Sequence, residues 1–204
     1  MRHIAAAALF AVTLAAAPAG WAIGPSTADP AKLAAGDWVL DKHHSSVTAR
    51  VLHMGYSHYT LRFTSFDASF TYDPKTPQTA KVTASVDAAS LDTGVASYDT
   101  EFADKFLNAG KAPKITFVST AILRGRDNHG TMTGDLTLRG VTKPVTFDVV
   151  FYGTGPDLNP LVKRAGFGAH TTLKRSDFGS TYLANPAIVG DEIEIVIEAE
   201  FTRK

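Results

Sequence analysis

The sequence predicts an all-β fold, an antiparallel up-and-down (lipocalin-like) β-barrel of about eight strands with one short amphipathic helix, on three observations. Apolar residues recur at every second position in eight separate segments, turn-forming residues punctuate those segments, and a single stretch switches to a spacing of four. A sheet of that many strands left open would expose two unpaired edges, so closure is expected.

The elements follow in chain order. Met1-Arg2-His3 is a short basic start and residues 4–17 are an uncharged, alanine-rich apolar run, which is the pattern of a secretory signal peptide. The run is too short for a membrane span and breaks at Pro18 and Gly20. Small residues suited to cleavage recur up to Ala22, so the mature chain is expected to begin near Gly20 or Ile23. Residues 1–22 are therefore read as signal peptide. Residues 23–36 are small, polar and proline-bearing, the composition of a flexible tether, and residues 37–204 are read as the barrel.

Within the barrel, Val47-Ala49-Val51, Phe66-Ala68-Phe70-Tyr72 and Val82-Ala84-Val86-Ala88 alternate with polar residues. So do Ile115-Phe117, Met132-Gly134-Leu136-Leu138, Val145-Phe147-Val149-Phe151, Phe167-Ala169-Thr171-Leu173 and Ile193-Ile195-Ile197-Ala199-Phe201. The last strand shows Glu192, Glu194, Glu198 and Glu200 to water. Asp73-Pro74, Arg139-Gly140 and Val189-Gly190-Asp191 mark turns. Tyr98, Phe102 and Phe106 fall four apart, which predicts a helix near residues 97–108, with Ser97 or Asp99 as the cap and Asn108 to Gly110 as the stop. Strands of ~11 residues tilted near ~40° give a barrel about 28 Å tall. At eight strands such a barrel is either filled by side chains or holds one small ligand. The inward faces mix bulky Phe with small Ala and Gly, which favours partial filling around a long tunnel.

Composition narrows the function. Twenty basic and twenty acidic residues cancel with no long like-charge run, which argues against nucleic acid as a partner and against attraction to anionic membranes. The absence of cysteine removes disulfides, thiol nucleophiles and thiolate metal sites.

Several short motifs occur in a fixed order: Asp41-Lys42-His43-His44-Ser45, Val51-Leu52-His53-Met54-Gly55, Phe63-Thr64-Ser65-Phe66, Ser90-Leu91-Asp92-Thr93 and Pro113-Lys114-Ile115-Thr116-Phe117. Gly134-Asp135-Leu136-Thr137-Leu138-Arg139-Gly140, Arg175-Ser176-Asp177-Phe178-Gly179 and Val189-Gly190-Asp191-Glu192-Ile193 complete the set. In these, from Trp38 to Phe201, the chain resembles the YceI-like family of periplasmic polyisoprenoid-binding proteins. The resemblance implies a lipocalin-like fold, a periplasmic location, and an isoprenoid-type lipid as the bound molecule in place of any cofactor. It implies no stable membrane insertion and is compatible with a homodimer. Two departures stand out: Leu61-Arg62 where the family carries Gly before Phe63, and a helical segment without the family's histidine and paired aromatics.

The candidate lining comprises Val51, Phe63, Phe66, Phe70, Phe117, Phe147 and Phe167 on inward faces, with Phe102 and Phe106 on the helix. Each phenylalanine could equally pack a core, and the helical pair could form a lid or a plug. His53 is a candidate for a ligand's polar head, with His44, Ser45 and Arg175 at the barrel ends. For Arg175 a turn lock or an ion pair with Asp177 competes with ligand contact. His43, His44, His53 and His58 lie close in sequence, but no HxH or HxxxH pair exists and an extended strand keeps His44 and His53 about 30 Å apart, so no metal site is expected. No nucleophile, metallohydrolase or phosphate-loop motif occurs, so a non-catalytic carrier is expected. The alternatives are a small periplasmic enzyme acting on a lipid ester or isoprenoid, and a stress-related protein with a filled barrel.

Overall fold

The computed structural model describes residues 24–204; the expected signal peptide and its cleavage points lie outside the described residues. Eleven strand segments and one helix follow one another: β1 (Gly36–Leu40), β2 (Ser46–His53), β3 (Ser57–Phe63), β4 (Phe66–Tyr72), β5 (Lys81–Asp87), β6 (Leu91–Asp92), α1 (Ala96–Leu107), β7 (Lys114–Arg124), β8 (His129–Leu138), β9 (Val141–Pro156), β10 (Lys163–Lys174) and β11 (Val189–Arg203). Every pairing is antiparallel and the sheet closes on itself. β11 pairs with β2 through its first part (Val189↔His53 to Glu198↔Ser46) and with β1 through its last (Phe201↔Leu40 to Arg203↔Trp38). β1 and β2 are thus halves of one stave, broken at residues 41–45. β3 and β4 are likewise one stave bent at residues 64–65, since β3 pairs with β2 and β4 with β1. The result is the expected eight-stave up-and-down barrel.

The wall opens at the helix end. β5 leaves β7 at Asp87↔Lys114, and β6 turns away to pair with β3 at Phe63↔Leu91. α1 covers the space between, burying Ala103 against Phe63 and Leu91. It stops at Asn108, whose left-handed conformation (φ 58°) turns the chain so that the next amide, Ala109, reaches Ala103 O at 3.1 Å. Its start differs from expectation: Val95 is the cap residue and neither Ser97 nor Asp99 caps it. The Asp99 carboxylate instead accepts from the Thr93 amide (2.8 Å) and hydroxyl (2.6 Å), tying down the incoming chain.

At the opposite end the core is aromatic. Trp38 is fully buried and stacks on Phe70 at 5.6 Å, and Phe70 meets Phe201 edge-on at 4.9 Å. The tether expected over residues 23–36 is corrected here, because its described part is docked. Thr27 exchanges two backbone hydrogen bonds with Thr154 (2.8 and 2.9 Å), Leu33 is buried in the aromatic core, and Ala34 O accepts from Trp38 Nε1 at 3.2 Å. The small composition serves close approach: a Cβ at Gly153 or Gly155 would lie 3.0 Å from the backbone of Thr27 or Ser26.

An ion cluster braces the break between β1 and β2. Arg164 Nη1 donates to Asp41 Oδ2 (2.6 Å) and Glu200 Oε2 (2.9 Å), while its Nε donates to Asp157 (2.5 Å). Burial alone would raise the Asp41 carboxyl, but hydrogen bonds from Arg164, His44 and the His43 amide outweigh it and hold the group well below the usual carboxylate range. A depressed folded value means that the unfolded chain binds more protons, so this contribution is complete above the unfolded value near ~4 and is lost as pH falls below it. Arg164→Met is therefore expected to lower stability at pH 7 by about 1–3 kcal/mol and to flatten the loss of stability between about pH 4 and pH 2, as read by urea unfolding at several pH values. An unchanged acid limb would contradict the assignment.

Candidate functional site

Period two along each stave sends alternate side chains inward, and the barrel holds more space than they fill. A cavity of about 920 Å³ runs through it, lined almost wholly by apolar side chains. Small residues keep it open: Ala49, Ala84 and Ala169 line it where larger ones would block it. Gly134 does so indirectly, because a Cβ there would collide with the Phe117 ring and with Val118 O. Without that Cβ the ring lies back against the wall.

All ten candidate lining residues, Val51, His53, Phe63, Phe66, Phe70, Phe102, Phe106, Phe117, Phe147 and Phe167, border this cavity. The choice between lining and core turns out to be no choice for Phe63, Phe70, Phe117 and Phe147. They are buried members of the core clusters and also face the hollow, with Phe117 and Phe147 edge to face at 5.3 Å. Tyr98, Phe102 and Phe106 form an aromatic ladder along α1, at 5.2 Å between successive rings, that faces the same space.

Three polar candidates are placed differently. His44 and Ser45 do not reach the cavity. Asp41 Oδ2 takes His44 Nδ1 at 2.8 Å, and the Ser45 hydroxyl donates to Asp41 O (2.8 Å) while accepting from the Glu200 amide (3.0 Å). They fasten the stave break. Arg175 does border the cavity and is buried, but its guanidinium donates to five carbonyls, those of Ser180, Tyr182, Leu183, Val189 and Gly190, at 2.7–3.3 Å. A guanidinium has five N–H groups, so none is left for a ligand head. Burial lowers the Arg175 pKa, with Asp191 opposing. Asp177 pairs instead with Lys143 at 3.6 Å. Arg175 is thus the turn lock, and the loop it organises is clipped to the helix by Ser180 Oγ to Phe106 O (2.9 Å) and Tyr182 OH to Glu101 (3.0 Å).

His53 stands at the helix-end rim, paired with Val189 and 6.4 Å from the Tyr59 ring. At the other rim the cavity reaches Gln78, Arg124, Asn128 and His129, which the sequence reading did not single out. Ile193, Ile195 and Ile197 also line it; their period-two pattern is visible in the sequence, although Val51 is the one aliphatic residue among the candidates. Asp41, His44 and Glu200 form a grouping of metal-ligand type, yet Arg164 already bridges both carboxylates. No helix among the described residues is long and apolar enough to cross a membrane.

The YceI-like domain model matches residues 38–201. A UPF0312 protein of Pseudomonas paraeruginosa is 38% identical over 190 residues, covering 91% of this chain and 97% of its own. Protein YceI of Escherichia coli is 39% identical over 170 residues, covering 81% and 86%. Among solved structures, Burkholderia cenocepacia BcnA superposes with a TM-score of 0.71 at 27% identity over 79% of this chain and 98% of its own. A polyisoprenoid binding domain from Saccharophagus degradans does so at 0.63 and 14% identity over 82% and 98%, a likeness of fold.

Proposed function

The chain belongs to the YceI-like family, and from that premise we propose that it is a non-catalytic carrier, exported to the periplasm, that holds one elongated apolar lipid of isoprenoid type inside its barrel. The observation that carries the reading is the cavity. A methylene fills about as much space as a water molecule, roughly 30 Å³, so 920 Å³ accommodates on the order of thirty carbons, or about six isoprene units. At about 0.8 kcal/mol for each CH₂ buried the gross gain exceeds 20 kcal/mol. Association and ordering costs of roughly 4–15 kcal/mol still leave micromolar binding or tighter. The S. degradans domain, described as polyisoprenoid-binding, is in keeping with this reading.

The head is assigned to the rim at His53 and is neutral, a quinone-like ring or an alcohol, because the buried cation beside that rim, Arg175, has its donors spent on carbonyls. Turnover is not part of the reading. Two cavity-lining hydroxyls at that end are committed to backbone acceptors, Tyr59 OH to Thr93 O at 2.9 Å and Ser180 Oγ to Phe106 O at 2.9 Å, so neither is poised beside a base as a nucleophile.

Native mass spectrometry of the freshly purified protein, followed by organic extraction, tests this directly. One intact, neutral, apolar molecule per chain is the expected result. A diphosphate or other charged lipid would overturn the head assignment, and empty protein that hydrolyses an ester or converts an isoprenoid would favour an enzyme.

A further inference from the structure

We infer that the rim at His53 is also a docking face for the surface of a zwitterionic lipid bilayer, from which the cavity is loaded. Three segments ring this mouth: residues 51–61, 94–98 and 178–190. The Met54 amide donates to Ile188 O (2.9 Å) and Tyr59 OH to Thr93 O, the residue that leads into the second segment, which draws the other two to the hairpin. None of them contains Asp, Glu, Lys or Arg, in a chain that is 20% charged. The opposite rim has Arg124 at the end of β7 and Lys75, Arg126, Asp127 and Asp157 on its loops.

The uncharged rim is apolar and turned outward. Tyr56 is 86% and Met54 47% exposed at the tip of the β2–β3 hairpin; Leu52, Tyr98 and Leu183 are partly exposed and line the cavity as well. Apolar surface therefore runs without interruption from the hairpin tip into the hollow. Exposed apolar surface of this kind, set around a ligand mouth, marks an interaction site, and tyrosines favour the bilayer interface, where ring and hydroxyl are both accommodated. The three segments themselves bring no fixed charge to the headgroups, the Glu101 carboxylate on the adjoining helix being held by Tyr182 OH at 3.0 Å, and a chain of net charge zero has no net attraction to anionic lipid. A neutral bilayer is the surface it fits. A lipid drawn tail first through this mouth would finish with its head at His53.

The inference rests on the cavity being a lipid site, so the two are measured separately, by flotation with phosphatidylcholine vesicles and by native mass spectrometry of the same protein. The wild type is expected to float with the vesicles. Met54→Asp combined with Tyr56→Asp, neither residue lining the cavity, should reduce flotation at least tenfold while circular dichroism and lipid retention stay unchanged. If that pair fails to fold, the single exposed change Tyr56→Ser should reduce flotation severalfold. Leu158→Asp with Leu161→Asp, exposed apolar residues between β9 and β10 at the far end, should leave it unchanged. The inference falls if the wild type does not float, if it floats only with anionic vesicles, if the far-end pair has the larger effect, or if the hairpin changes instead dissociate a dimer seen by light scattering. Flotation without lipid retention would remove the cavity reading and leave the docking face standing.

Discussion

Trp38→Ala is expected to lower the stability of the barrel by about 3–5 kcal/mol, the usual cost of truncating a buried aromatic, and to lower its melting temperature by on the order of 10 °C. Among the described residues no other side chain is both so large and so completely enclosed. Its ring stacks on Phe70, its indole N–H reaches Ala34 O, and its strand is the short bridge that pairs with β4 on one side and β11 on the other. Truncation would leave a void where the N-terminal segment, the first stave and the last stave meet, and Leu33 would lose the surface it packs on. A thermal melt followed by circular dichroism reads the effect. A shift of less than about 3 °C would show that the aromatic cluster is not what closes the barrel.

How much of this was legible in the sequence depended on the range of the interaction. Period two is a local property, and it marked the inward face of every stave, including Phe117, Phe147 and Phe167. The helix was legible for the same reason, because Tyr98, Phe102 and Phe106 share one face; its observed bounds lie within a residue of those expected. What failed was whatever depends on partners far along the chain or on the irregular segments between staves. Ser45 reads as a free hydroxyl in a family motif until the fold brings Glu200 to it, 155 positions away. His44 is taken by Asp41 only because a 3-10 turn interrupts the stave there. The N-terminal segment has the composition of a linker, and only the glycines of β9 opposite it reveal that small residues are wanted for close packing. Arg175 reads as a turn lock, an ion pair or a ligand contact, and only the fold shows the turn lock, with five carbonyls from a loop with no period of its own taking all its donors.

The hollow is the least legible feature and the most consequential. Strand period identifies which side chains point inward but not how much space they leave between them, so a filled and a hollow barrel share one pattern. Ala84 and Ala169 sit on staves separated by β7, β8 and β9 and both line the cavity. Enlarging them fills it without cutting the wall. Added apolar volume in an existing void costs little and can stabilise. The most direct measurement is therefore fluorescence titration with an environment-sensitive apolar probe of the wild type, of Ala84→Phe with Ala169→Phe, and of His53→Gln, each freed of bound lipid. If the barrel works by burying a tail, the double variant loses at least tenfold in affinity at an unchanged or higher melting temperature, and His53→Gln loses no more than about threefold, as for one exposed hydrogen bond. Wild-type affinity in the double variant, or a greater loss at His53 than at the two alanines, would contradict a lipid held in the hollow of the barrel.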